Sequence, residues 1–246
     1  MRFFEIVKRG LKPEKKVFVT FFIDIIFYFC LILGFLIFAY MLKNVALGIQ
    51  DINLSSFLSE DVNAINLNAR LIEIVFAKMI GTISIFLIYI LGIFTLFKGL
   101  IWTELLSKKF TLKYYLKSLS INLIEGLIFL VFFIYASVGL KNTWIALAFI
   151  VLFAHFNSLS FYFVNKENKI FKSIFKSMKF TFSKFPRYIL HYFVIFIILA
   201  MLYLVLNFIK QIIPVYLYLI IFGIIIIFLF SIFRNYFTKF IEENDR

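Results

Sequence analysis

Apolar runs of about 20 residues alternate along the chain with short stretches that carry most of the charge. Six runs stand out, at about 17–42, 76–97, 118–140, 143–163, 188–209 and 214–236. A helix needs roughly 20 apolar residues to cross the hydrocarbon of a bilayer, so each run reads as one span. The pattern predicts an all-α, polytopic integral membrane protein with six transmembrane helices in one membrane domain over 1–246. Pro13, Pro186 and Pro214 sit near span starts, where a missing N–H costs least. Trp102 and Trp144 fall at span edges, as interfacial aromatics do. The first run is long and lacks a small-x-small cleavage pattern, so it reads as a retained span and not a signal peptide.

The polar stretches repeat a plan: a basic segment, then a span, then a return, which gives three hairpins. The third copy, "KIFKSIFKSMKFTFSKFPRY", is the clearest. At 100° per residue Phe171, Ile174, Phe175, Met178, Phe182 and Phe185 share one helical face, while Lys169, Lys172, Lys176 and Lys179 share another. Such a helix suits the interface, with rings among acyl chains and lysines at headgroups. In the alternative, the phenylalanine face packs on the protein's own spans. The second copy, "KKFTLKYYLKSLS", spaces Lys109, Lys113 and Lys117 four apart, and the first, "FFEIVKRGLKPEKK", is interrupted by Gly10 and Pro13. The headgroup candidates are Lys109, Lys113, Lys169, Lys172, Lys176 and Lys179. The segment 43–75 departs from the plan, with an irregular first part and a helical pattern from about Ser56 that leads into the second span.

Charge sets the expected orientation. Segments 2–16, 98–117 and 165–187 and the tail after 233 hold 21 of the 26 lysines and arginines. The positive-inside rule then places both termini in the cytoplasm and the chain in the cell membrane.

Composition narrows the chemistry. The chain is 63% hydrophobic with mean hydropathy +1.01, more apolar surface than a soluble domain of this length can bury. The net charge of +13 is confined to segments between spans, so anionic lipid is the expected partner and nucleic acid is not. One cysteine, Cys30, and two histidines, His155 and His191, make neither an intrachain disulfide nor a Cys/His metal site. No phosphate loop, metalloprotease, serine-hydrolase or aspartate-rich motif occurs, so no catalytic residue, metal or cofactor is expected.

Polar residues within the spans are the remaining candidates. Asp24 lies eight residues after Lys16, and Glu125 eight after Lys117, which puts both roughly 12 Å along their helices. Thr20, Asp24 and Tyr28 form one stripe; Ser118, Asn122 and Glu125 form another. Both stripes should face other helices. A carboxylate in a span costs about 2.5–3.5 kcal/mol at the centre and less toward the ends. One reading is a polar chamber built from Asp24, Asn122, Glu125 and His155, open to the cytoplasm and able to take a cation, a proton or a headgroup. The other is that these groups satisfy one another or reach nearby lysines.

The stretch "FKSIFKSMKFTFSKFPRYILHYF", a basic Ser- and Phe-containing helix running into a span, resembles six-span prokaryotic membrane families: the YciC-type proteins and the membrane domain attached to glycerophosphodiester phosphodiesterases. The resemblance implies a multi-pass membrane protein. It implies no catalytic residue, since these residues hold no phosphodiesterase domain. The expected role is therefore non-enzymatic, binding anionic lipid or a membrane-protein partner through the basic helices. The alternative is a transporter or channel component using the Asp24/Glu125 chamber.

Overall fold

A computed structural model describes residues 14–50, 62–139, 143–167, 169–209 and 214–245. These are helix and turn throughout, with no strand among the described residues. In chain order the helices are α1 (Lys15–Gln50), α2 (Val62–Leu105), α3 (Leu112–Ile134), α4 (Thr143–Val164), α5 (Ile170–Ile209) and α6 (Val215–Asn244). A π-helical turn, Tyr135–Gly139, continues α3. Among the described residues, four stretches are long and apolar enough to cross a membrane: Lys15–Gly48, Ala69–Leu105, Leu112–Gly139 and Val215–Asn244. Their outward surfaces are apolar to a degree water would not tolerate. Phe22, Phe29, Leu36 and Tyr40 on α1 are each at least 60% exposed.

The helices are longer than the apolar runs because the basic segments do not form separate helices. Lys113 and Lys117 lie in the first turns of α3, and "KSIFKSMK" opens α5, which continues unbroken through Pro186. Residues 1–13, 51–61 and 140–142 lie outside the described set, and with them most of the first basic copy and the start of the helix expected from Ser56.

The chain divides into two units, Met1–Ile25 with Thr95–Arg246, and Ile26–Phe94. In the second, apolar contacts hold α1 and α2 together. Phe38 stacks on Phe86 at 4.0 Å, and the Tyr89 hydroxyl donates to the Cys30 carbonyl at 2.7 Å. Gly34 makes room for that ring: a Cβ there would lie 2.1 Å from Tyr89 Cε1.

In the first unit the core gathers where α2, α4 and α6 end and α3 and α5 begin: Trp102 and Leu105, Tyr114 and Ile121, Leu159 and Phe161, Ile174 and Tyr188, Phe240 and Ile241. Four consecutive residues of α4, Phe161 to Val164, are at most 4% exposed, so neighbours surround the end of α4 on every side. The turn from α2 to α3 is tight and fully specified. Ser107 takes the left-handed conformation (φ 52°), the Lys108 N–H donates to the Thr103 carbonyl at 2.8 Å, and α2 is closed. Thr111 then caps α3, its hydroxyl accepting from the Tyr114 N–H at 3.2 Å.

Candidate functional site

Helix α5 presents three faces. Ser173, Ser177 and Thr181, spaced four apart, are buried together with Ile174, Phe180 and Tyr188. Their small side chains let α5 approach α4 closely, and Ser160 Oγ of α4 lies 3.0 Å from Ser177 Oγ. The phenylalanine stripe faces outward: Phe171, Phe175 and Phe182 are 65–69% exposed. Ile174 of the same stripe turns into the core and Phe182 lies 6.2 Å from the Phe156 ring of α4, so the stripe is divided between packing and exposure, while the serine/threonine stripe is buried throughout. On the third face Lys169, Lys172 and Lys179 are exposed, and Lys176 is half-buried.

Three helices, α2, α3 and α4, meet through one polar network, and Ser177 of α5 lies at its edge. Lys98 of α2 donates to Asn157 Oδ1 of α4 at 2.5 Å. An ammonium only donates, so the Asn157 oxygen must face it. That turns the Asn157 amide N–H groups toward α3, where they donate to Asn122 Oδ1 (2.6 Å) and Glu125 Oε2 (3.1 Å). Asn122 is oriented in turn, and its amide donates to Thr95 Oγ1 of α2 at 2.6 Å. Ser160 donates to the second Glu125 oxygen at 2.5 Å. Lys98 and Glu125 are thus linked through one asparagine. Asn122, Glu125, Asn157 and Ser160 are at most 4% exposed, and both Glu125 oxygens are engaged. What the arrangement can do is fix the register of three helices.

Asp24 belongs to a different cluster. Its carboxylate pairs with Arg234 of α6 and accepts from Ser231 Oγ at 3.0 Å. Thr20 is buried beside it on α1, while Tyr28, predicted on the same stripe, is 39% exposed.

His155 has a third set of partners. Its Nε2 lies 3.1 Å from Thr181 Oγ1 and its Nδ1 2.6 Å from the Tyr192 hydroxyl. The Thr181 proton is already given to the Ser177 carbonyl at 3.0 Å, so Thr181 accepts from Nε2–H. Tyr188 clasps the ring edge-to-face at 4.7 Å.

The four residues expected to share one chamber are thus distributed over three clusters. Asn122 and Glu125 come together; Asp24 and His155 each bond elsewhere. The sequence reading missed the hub, Asn157, and two cations, Lys98 and Arg234, which it counted as loop and tail charges. Depth could have found them. Asp24 and Arg234 each lie about ten residues inside the basic ends of their helices, and Lys98 lies seven residues before the end of α2, as Glu125 lies eight after Lys117.

At the chain's end a separate set of ion pairs lies outside the spans. Glu167 holds Lys172 (2.8 Å) and Lys176 (3.4 Å), and Asp245 holds Lys166 (3.0 Å) and Lys176 (3.1 Å). The hydrogen bond from Lys172, and then Lys176, keep the Glu167 carboxyl below its ordinary value. Two of the six headgroup candidates, Lys172 and Lys176, therefore already have carboxylate partners. No family model, curated protein or solved structure matches the chain, so its role has to be read from this chemistry.

Proposed function

We propose that the chain is a six-span integral membrane protein, arranged as three hairpins with both termini in the cytoplasm, that acts without catalysis by binding anionic lipid through its basic end. The observation that carries this reading is the division of labour on α5. A serine/threonine face is spent on packing, and exposed rings and lysines are left side by side at the mouth of a helix bundle. Rings at acyl depth and ammonium groups at headgroups are what an anionic leaflet rewards, by about 1 kcal/mol per lysine near the surface. The orientation is supported by charge. With Lys98 and Arg234 set aside as internal, the basic segments still hold 19 lysines and arginines against five elsewhere.

The test is thermal stability of the purified chain in an uncharged detergent, with added phosphatidylglycerol or phosphatidylcholine. The anionic lipid should raise the melting temperature and the zwitterionic lipid should not. Reversing Lys169, Lys172 and Lys179 to glutamate should abolish that difference. Equal effects of the two lipids on the unaltered chain would overturn the reading.

A second reading, a transport or channel component, is favoured by one observation: a lysine and a carboxylate share one buried network with two amides. It predicts flux or stability that depends on a cation or on pH and is lost in Glu125→Gln.

A further inference from the structure

The two basic segments meet at a cleft. A depression of about 400 Å³ is lined by Leu112, Lys113, Leu116, Lys117, Ser120 and Ile170, so the first turns of α3 border the first residue of α5. Lys113 and Lys117 are one helical turn apart and lie on one face of α3. Beside them Leu112 is 72% exposed and Leu116 52%. The Ser120 hydroxyl gives its proton to the Leu116 carbonyl at 3.0 Å, which leaves its oxygen able to accept. Among the described residues no carboxylate lies within ion-pair distance of Lys109, Lys113, Lys117, Lys169 or Lys179, whereas Lys166, Lys172 and Lys176 are engaged by Glu167 and Asp245. The positive ends of α3 and α5 add potential of the same sign.

We infer that this cleft binds one anionic glycerophospholipid, with its phosphate between Lys113 and Lys117, its headgroup hydroxyl toward Ser120, and its acyl chains along Leu112, Leu116 and Ile170. The chemistry is complementary on both counts: a pair of unpaired ammonium groups for the phosphate, and an adjoining exposed apolar surface that a water-soluble anion would leave bare. The inference rests on the proposed lipid-binding role and sharpens it, from a diffuse basic surface to a site for one molecule.

The experiment is native mass spectrometry of the full chain in uncharged detergent, with phosphatidylglycerol and phosphatidylcholine in competition. The unaltered chain should retain the anionic lipid preferentially. Lys113→Gln with Lys117→Gln should weaken that preference roughly tenfold, and the double arginine variant should keep it, which separates loss of charge from loss of fold. Lys172→Gln with Lys179→Gln, the same charge removed from the face of α5, should change it less than about twofold. Equal losses from the two glutamine pairs, or none from the first, would overturn the cleft and leave the broader lipid reading standing. No preference in the unaltered chain would overturn both. Retention of glycerol 3-phosphate as strong as that of the lipid would overturn the lipid as occupant.

Discussion

Between Ile26 and Phe94, Phe38 lies flat on Phe86 and the absence of a side chain at Gly34 admits the Tyr89 ring. From Thr95 onward, an ammonium, two amides, a carboxylate and two hydroxyls join three helices. Both regions hold apolar helices together, by means with different tolerances. Ring contacts depend on volume and forgive a change of polarity at a distance. Hydrogen bonds depend on which atom donates, so they fix register and tolerate an apolar replacement poorly. The polar unit should therefore fail on changes of chemistry, and the apolar unit on changes of size.

The largest effect should come from Glu125→Ala. It removes the acceptor for Asn157 and Ser160 and leaves Lys98 without its nearby negative charge, at a cost of about 3 kcal/mol. Glu125→Gln, which keeps one acceptor oxygen, should cost less. Melting temperatures in one detergent measure both, and an alanine variant as stable as the unaltered chain would mean that the network does not hold the helices. Next comes an asymmetry at Asp24. Arg234→Leu leaves a carboxylate that is 5% exposed with only Ser231, whereas Asp24→Asn leaves a half-buried guanidinium that can still bond the amide oxygen or reach water. The first should cost about 2 kcal/mol and the second about half that. Equal losses would show that the pair matters for shape and not for charge. In the apolar unit, Gly34→Ala should cost roughly 1–2 kcal/mol by pushing Tyr89 off the Cys30 carbonyl. Adding Tyr89→Ala should recover part of it, and a double variant no better than the single one would break the comparison.

The smallest effect concerns pH. The Glu167 carboxyl titrates below its ordinary value of 4.5, so its contribution is complete above that value and is lost as pH falls through the lower, folded one. Melting curves from neutral to acid should show the unaltered chain losing slightly more stability than Lys172→Gln with Lys176→Gln. The two curves should converge at the acid end.

The fold was legible where the cause is local. Apolar runs, basic punctuation and helical faces depend on neighbours in sequence, so four of the six expected spans coincide with helices long enough to cross, and α5 shows the predicted ring and lysine faces. The partnerships were not legible because they depend on how helices are rotated against one another. Glu125 was marked by its polar stripe, yet nothing in its own helix points to Asn157 of α4. Asp24 and Glu125 looked equivalent from equal depth, and they bond to different helices. His155 was grouped with the carboxylates, and its two ring nitrogens meet hydroxyls of α5 instead. The third face of α5 was overlooked because serine and threonine carry little weight on a hydropathy scale.

Helix α5 runs for 40 residues without interruption. At 1.5 Å per residue that is about 60 Å, twice the roughly 30 Å of a hydrocarbon layer. In mechanical terms it is a rod whose one half carries the lysines and whose other half carries exposed apolar residues such as Phe196, Met201 and Leu204. Within it Pro186 has no N–H to give to the carbonyl of residue 182. A load applied at the charged half would be carried along a stiff element, and a proline within it is where such a rod yields most readily.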